Sequence, residues 1–283
     1  MTAVTDLTVT IESTEINSYA WNIGMGGWRF RTASKRGSNP VVAYRDGRTF
    51  VGKYFEERTL SLPMWVIGAD PDDGIVPVDP GARDQLFENL RALQRLFSTD
   101  KATKTMTIYD PYLNKTVEGE IEVIDVIDFS TMAGLTRAVF MPTIVLPGVW
   151  WRDVTALYDV ATLTTRADLD TWVATVDTDV EISDPTITIQ GLAGGTTDPK
   201  ILNMSDSSHF VQYLGEIANG ETLIISCGSY SATLEGSDAS NLLAWGTGRR
   251  EMFVLKNGNN TLKYNGVGAD DAKVKVTWKG CYW

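Results

Sequence analysis

The stretch Pro185-Thr-Ile-Thr-Ile-Gln-Gly191 decides the architecture. Ile187 and Ile189 alternate with polar residues, the period-two pattern of a strand that buries one face. Downstream the same alternation returns in Ile201-Leu-Asn-Met204, Leu223-Ile-Ile225, Tyr230 to Leu234, Met252 to Leu255, Leu262/Tyr264 and Val274/Val276/Trp278. The runs follow one another at roughly 8–14 residues, and each gap carries Gly, Asn or Asp, which predicts an antiparallel β-sandwich over residues 154–283. Asn257-Gly-Asn-Asn260 between two runs is the strongest hairpin signal. A weaker helical turn is predicted over Thr165 to Val173, where Leu169, Trp172 and Val173 share a face.

Upstream, alternation opens at Leu7, Val9 and Ile11. It continues through Leu60, Leu62, Met64 and Val66, then Met106-Thr-Ile108, Ile121 to Ile127 and Arg137 to Val145. One helix interrupts it. From Ala82 to Ser98, Leu86, Leu90, Leu93, Leu96 and Phe97 recur at steps of three and four. Asp79 and Pro80 supply an N-cap and a first-turn proline, Asp84 sits near the positive end of the helix dipole, and Arg91 and Arg95 lie toward the negative end. The turn and aromatics of Pro147-Gly-Val-Trp-Trp-Arg-Asp153 mark a boundary. The reading is therefore mainly β: an N-terminal β-rich domain with one amphipathic helix, residues 1–153, and a β-sandwich domain, residues 154–283. The two carry net charges of -4 and -7.

Composition narrows the function. The net charge is -11 and the sequence pI 4.6, so neutralising many nucleic-acid phosphates is not available to this chain. A single histidine, His209, removes nearly every His-dependent triad and zinc site. Neither an apolar run of about 18 residues nor a basic region leading into an apolar one is seen, so no membrane span or secretion signal is expected. Cys227 and Cys281 are read as buried reduced thiols in preference to a disulfide.

Individual constellations are weak as chemistry. Asp206-Ser-Ser-His209 holds three triad residue types, but consecutive loop residues rarely meet as nucleophile and base, so a polar turn is favoured. Asp70-Pro-Asp-Asp-Gly74 opens like a calcium loop, yet its twelfth position is Gly81 in place of the bidentate Glu, and a solvated turn is expected. Asp270-Asp271 reads as an exposed loop tip. Gly24-Met-Gly-Gly27 lacks the order of a phosphate-binding loop. No catalytic residue, cofactor site or metal site is nominated, and the chain is expected not to be an enzyme. Between Trp28 and Arg58, Arg29, Arg31, Lys35, Arg36, Arg45, Arg48, Lys53 and Arg58 face only Asp46, Glu56 and Glu57. This basic segment is either a solvated hairpin or a contact surface for an acidic partner subunit. Trp150, Trp151 and Trp172 are read as core or interdomain packing. Trp245, with Asn241, Arg249 and Arg250 nearby, is the one candidate for stacking on a sugar ring, and Trp245 and Arg249 are the candidate glycan contacts.

Several motifs together resemble a known family. Arg58-Thr-Leu-Ser-Leu62, the helix Asp84-Gln-Leu-Phe-Glu-Asn-Leu-Arg-Ala-Leu-Gln-Arg-Leu96 and Leu146-Pro-Gly-Val-Trp-Trp-Arg-Asp153 lie in the first half. Pro185 to Gly191, Pro199-Lys-Ile-Leu-Asn203, Gly220-Glu-Thr-Leu-Ile-Ile225, Val254 to Asn260 and Val276-Thr-Trp-Lys-Gly-Cys-Tyr-Trp283 lie in the second. They resemble the distal tail proteins of long-tailed, non-contractile bacteriophages, particularly the minor tail proteins of phages infecting Actinobacteria. The resemblance implies a structural protein of the virion tail tip, made in the host cytoplasm. It implies a ring-forming first domain and a galectin-like sandwich, assembled as a homo-hexamer that joins the tail tube protein to the baseplate hub. The tape-measure protein and, later, DNA would pass through its lumen; no membrane partner is implied. Members with elaborated second domains carry inserted carbohydrate-binding modules, for which this chain has no space. Strand placement puts the subunit interface at Arg58, Leu60, Leu62, Met64 and Trp65, continuing through the aperiodic segment Trp65 to Pro80. The alternative function is a lectin-like module for host cell-wall glycans.

Overall fold

A computed structural model describes residues 8–23, 35–36, 54–78, 81–98, 102–110, 114–123, 136–163, 171–206, 209–246, 253–267 and 272–282. The chain divides into two compact units, Met1–Trp151 and Arg152–Tyr282.

In the first unit the strands are β1 (Thr8–Ile11), β2 (Thr14–Glu15), β3 (Trp21–Ile23), β4 (Lys35–Arg36), β5 (Tyr54–Phe55), β6 (Arg58–Ser61) and β7 (Met64–Ile67). Helix α1 (Gly81–Phe97) follows, then β8 (Lys104–Asp110), β9 (Lys115–Val123), β10 (Arg137–Phe140) and β11 (Thr143–Leu146). They form an antiparallel sheet in the order β2-β1-β8-β9-β11-β6, a three-stranded sheet β10-β7-β3, and the pair β4-β5. Alternation does here what it predicts. Val9, Ile11, Met106, Ile108, Ile121, Ile144 and Leu146 are fully or almost fully buried from the first sheet, and Met64, Val66 and Ala138 from the second.

Helix α1 buries Ala82, Leu86, Leu90, Leu93 and Phe97. Its polar exception is Asn89, also buried, whose Nδ2 donates to the carbonyls of Ile67 and Ala69 at 2.8 Å each and so fixes the helix to the end of β7. Gly68 lies against the Ala82 carbonyl, where any Cβ would overlap it. At the far end Lys104 Nζ donates to the Arg95 and Leu96 carbonyls at 3.1 and 2.6 Å, satisfying two groups the helix leaves open. The helix runs one residue ahead of the predicted span at both ends; Asp79 and Pro80 lie outside the described residues.

β12 (Trp151–Asp153) leads into the second unit. There the strands are β13 (Leu157–Leu163), β14 (Thr171–Val176), β15 (Thr186–Gly191), β16 (Thr196–Asn203), β17 (His209–Tyr213), β18 (Glu216–Ile217), β19 (Thr222–Ser226), β20 (Ser231–Leu234), β21 (Ser237–Asp238), β22 (Leu243–Trp245), β23 (Gly258–Val267), β24 (Ala272–Trp278) and β25 (Cys281–Tyr282). Two antiparallel sheets result, β13-β24-β15-β19-β20-β21 and β14-β23-β16-β17-β22, with β18 beside β16. Each sheet buries one face. Ile187, Ile189, Leu223, Ile225, Val274 and Val276 come from one, and Ala174, Val176, Ile201, Val211, Leu262 and Tyr264 from the other, as in a sandwich core. The edge strand β13 is exposed at Leu157, Tyr158 and Val160, and its Val160 N–H donates to Asp159 Oδ1 at 2.8 Å.

Two local expectations change. Of the expected helical turn Thr165 to Val173, residues 165–170 lie outside the described residues, and its end belongs to the strand Thr171–Val176, paired with β23, with Ala174 and Val176 buried while Thr171, Val173 and Thr175 face out. The three-step spacing of Leu169, Trp172 and Val173 is too short a pattern to outweigh β-branched alternation. Asn257 to Asn260 does not close a hairpin between two ladders: Leu255 bridges to Ile182 instead. The turn is built by the buried Asn260 side chain, which accepts from Lys256 N at 2.9 Å and donates to the Lys256 and Gly258 carbonyls at 2.8 and 3.2 Å. Buried Asn203 completes the net, donating to Val254 O at 2.7 Å and Asn260 Oδ1 at 3.1 Å.

Candidate functional site

The strands β6 and β7 carry the residues expected to meet a neighbour. Arg58, Leu60, Leu62 and Met64 all face the interior of the first unit, whereas Trp65 is 51% exposed. The alternation explains this: Thr59 and Ser61 occupy the solvent face of β6, so the apolar set must be the inner one. Arg58 is the anomaly. It pairs in register with fully buried Leu146 and is itself 1% exposed, and its three guanidinium nitrogens have no hydrogen-bond partner among the described residues. Burial pushes the Arg58 pKa down, the response of a charge moved out of water without compensation. On the other sheet Trp65 stands opposite Asn22 and Val139.

The chain after β7 makes a tight polar turn. The Asp70 carbonyl accepts from Gly74 N at 3.0 Å, Asp70 Oδ1 accepts from Asp72 N at 2.8 Å, and Asp70 N donates to Ile75 O at 2.9 Å. Gly74 has φ +75° and lies under the Tyr19 ring, two reasons for glycine there. This is a solvated turn, as the sequence indicates. It then releases an apolar run into solvent: Ile75, Val76 and Val78 are 64%, 57% and 90% exposed. Beside it a groove of about 730 Å³ is lined by Glu15, Asn17, Tyr19, Trp21, Pro71 and Asp72, among others, with no basic side chain among the described residues. Tyr19 is two-thirds exposed. Reading the sequence alone overlooks this groove, because Glu15 and Asp72 are distant in the chain and only the turn brings them together.

In the second unit Asp206 and His209 do meet. His209 Nδ1 donates to Asp206 Oδ2 at 2.8 Å, and Lys256 Nζ reaches Asp206 Oδ1 at 2.5 Å. Burial alone raises the Asp206 pKa, but the bonds and charges of Lys256 and His209 outweigh it and hold the carboxyl below the usual range. The carboxylate thus ties the start of β17 to the Asn260 turn; Ser207 and Ser208 lie outside the described residues. Cys227 and Cys281 are buried free thiols, and burial pushes Cys227 up to about 12.

Trp245 stands opposite fully buried Val211 on β17, so its side chain leaves the sheet on the inner face. Tyr230, at φ +54°, meets it edge-on with ring centroids 5.3 Å apart. Arg249 and Arg250 lie outside the described residues, as do Gly24 to Gly27, Asp270, Asp271 and, within the basic segment, Arg29, Arg31, Arg45, Arg48 and Lys53. No cluster of three metal-ligating side chains occurs among the described residues.

Residues 180–282 match the family described as the siphovirus-type tail component, C-terminal domain. No curated protein matches the chain. Among solved structures it is similar to the Dit protein of phage SPP1, reported as a paradigm of the hub adsorption apparatus in phages infecting Gram-positive bacteria. That likeness covers 97% of this chain and 99% of the other, at a TM-score of 0.67 and 12% identity. The phage p2 baseplate in its activated conformation, with strontium or calcium, aligns at a TM-score of 0.41 and 7% identity over 98% of this chain and 100% of that one. The likeness to SPP1 Dit is one of fold.

Proposed function

We propose that the chain is a structural subunit of the tip of a long, non-contractile phage tail. In this reading the first unit, residues 1–153, builds a homo-hexameric ring between tail tube and baseplate hub, and the second, residues 154–283, is a galectin-like sandwich attached to it. The carrying observation is a coincidence of two findings. A tail-component family model matches the second unit, and the fold likeness to a phage hub protein extends through the first unit over nearly the whole length of both chains. The finer assignments rest on the sequence resemblance: a host among the Actinobacteria, synthesis in the host cytoplasm, and contacts with the tail tube, hub and tape-measure proteins. The structure modifies the expected interface. With Arg58, Leu60, Leu62 and Met64 inside, the available elements are Trp65, the free side of β6 at the end of its sheet, and the run Ile75 to Val78. The carbohydrate-binding reading has less behind it, since the half-buried Trp245 lies on the same face as buried Val211 and is met edge-on by Tyr230.

The test is the mass of the purified full chain across a concentration series by native mass spectrometry, with negative-stain imaging and antibody labelling of virions. A ring of about six copies and label at the tail tip are expected. A strict monomer combined with label elsewhere on the particle overturns the proposal.

A further inference from the structure

The groove of the first unit gathers two opposite kinds of hydrogen-bonding group. Trp21, one of its lining residues, is 8% exposed, and its indole N–H is buried with no acceptor among the described residues. Glu15 and Asp72 line the same groove with exposed carboxylates, and among the described residues neither side chain has a hydrogen-bond or ion-pair partner. An indole N–H only donates and a carboxylate only accepts. A buried donor without an acceptor is costly, and each such group in a folded protein asks for an explanation.

These groups together select the chemistry of a ligand. A cation serves the carboxylates but leaves the Trp21 N–H unmet, whereas an anion serves the N–H and is repelled by Glu15 and Asp72. A neutral polyhydroxyl molecule serves both, because each hydroxyl donates and accepts. The Tyr19 ring, 67% exposed, suits the same class: the negative face of an aromatic ring attracts the polarised C–H groups of a pyranose. At about 730 Å³ the groove has the size of a small-molecule site. Its walls are also held in place before any ligand arrives, which lowers the cost of binding. Ser18 Oγ accepts from the Ala20 and Trp21 amides at 3.2 and 3.3 Å, and Asp70 Oδ1 from the Asp72 amide at 2.8 Å.

We propose that this groove binds a short neutral saccharide, with Trp21 Nε1 donating to one hydroxyl, Glu15 and Asp72 accepting from others, and Tyr19 lying against the sugar ring. The site belongs wholly to the first unit and uses neither Trp245 nor Arg249, so sugar binding has a place other than the one expected in the second unit. The proposal goes beyond the tail-tip reading and does not rest on it. A groove contained in one unit of one chain binds its ligand whether or not the chain forms a ring.

The test is a screen of the full chain on an array of neutral mono- to tetrasaccharides. Each glycan that binds is then titrated by calorimetry and against the indole N–H resonances of isotope-labelled protein. Trp21→Phe keeps a ring, removes the N–H and identifies its resonance. That resonance is expected to move on saturation, and Trp21→Phe to weaken binding about tenfold. Tyr19→Ala, and Glu15→Ala with Asp72→Ala, should each weaken it by at least as much. These three positions are exposed, so the variants test the site even if Trp21→Phe fails to fold, with circular dichroism as the check. Arginine amide is the cationic control and should bind more weakly than the glycan. No binding to any glycan on the array overturns the proposal, and so does a Trp21 resonance that stays still when a glycan binds. Tighter binding of arginine amide would make the groove a cation site and overturns it as well. Binding that survives Tyr19→Ala but is lost with Trp245→Ala places the sugar in the second unit, again against the proposal.

Discussion

Replacing Arg58 by methionine should make the protein more stable, although it deletes a residue that is 1% exposed. Large-to-small changes at such positions ordinarily destabilise, through the lost transfer energy and the cavity left behind. Arg58 differs because its guanidinium is enclosed without an anion: all three nitrogens lack partners among the described residues. An uncompensated buried charge of this kind costs about 3–5 kcal/mol. Methionine keeps the unbranched stem beside Leu60 and Leu146 but is shorter, and the void it leaves gives back about 1–2 kcal/mol. The net gain expected is about 2 kcal/mol, or about 4–8 °C in the melting transition of the first unit. Differential scanning calorimetry of the full chain, at one fixed protein concentration, reads it. Arg58→Lys keeps the charge and should show no such gain. If Arg58→Met melts below the wild type, the guanidinium has an anionic partner in solution and the reasoning is wrong.

Asp206→Asn should lower stability by about 1–3 kcal/mol at neutral pH, since it removes an acceptor shared by Lys256 and His209. The Asp206 carboxyl is held below its ordinary value of 3.8, so its contribution is complete above that value and is lost as the pH falls through the folded one. Urea unfolding should therefore show the gap between wild type and variant closing below about pH 4; a gap that persists in acid refutes the pairing. Asn260→Ala should cost roughly 2–4 kcal/mol in the same assay, because it strands the Lys256 amide and carbonyl that the side chain serves. Cys227 should resist iodoacetamide in the folded protein and react only in denaturant, as its pKa of about 12 keeps the thiolate scarce; a mass shift in native buffer would count against its burial.

Much of the fold was legible because its signals are local and repeated. The leucine spacing of 86, 90 and 93 places helix α1 to within a residue, and Ile187/Ile189 and Val274/Val276 name both strand and buried face. Where one polar side chain organises the backbone, the pattern was silent: Asn260 makes a turn that its Asn-Gly neighbours had presented as a hairpin. The candidate site was harder for a related reason. Alternation at Arg58, Leu60, Leu62 and Met64 announces a strand and assigns those residues to its inner face at once, so the same pattern that suggested an edge turns these side chains inward. The groove of Glu15, Tyr19 and Asp72 could not be read, because a surface formed by distant segments leaves no periodic trace.

The bond from Val160 N–H to Asp159 Oδ1 on β13 bears on manufacture more than on architecture. An edge strand with Leu157, Tyr158 and Val160 exposed is a template for strand-by-strand polymerisation. A side chain that already occupies one of the strand's amides, and brings a negative charge to it, interrupts the hydrogen-bond template at its middle. Growth through this edge would have to break that bond and desolvate the carboxylate at every added copy. Under the proposed ring assignment, Asp159 thus separates a self-association that closes on itself from one that would extend without limit.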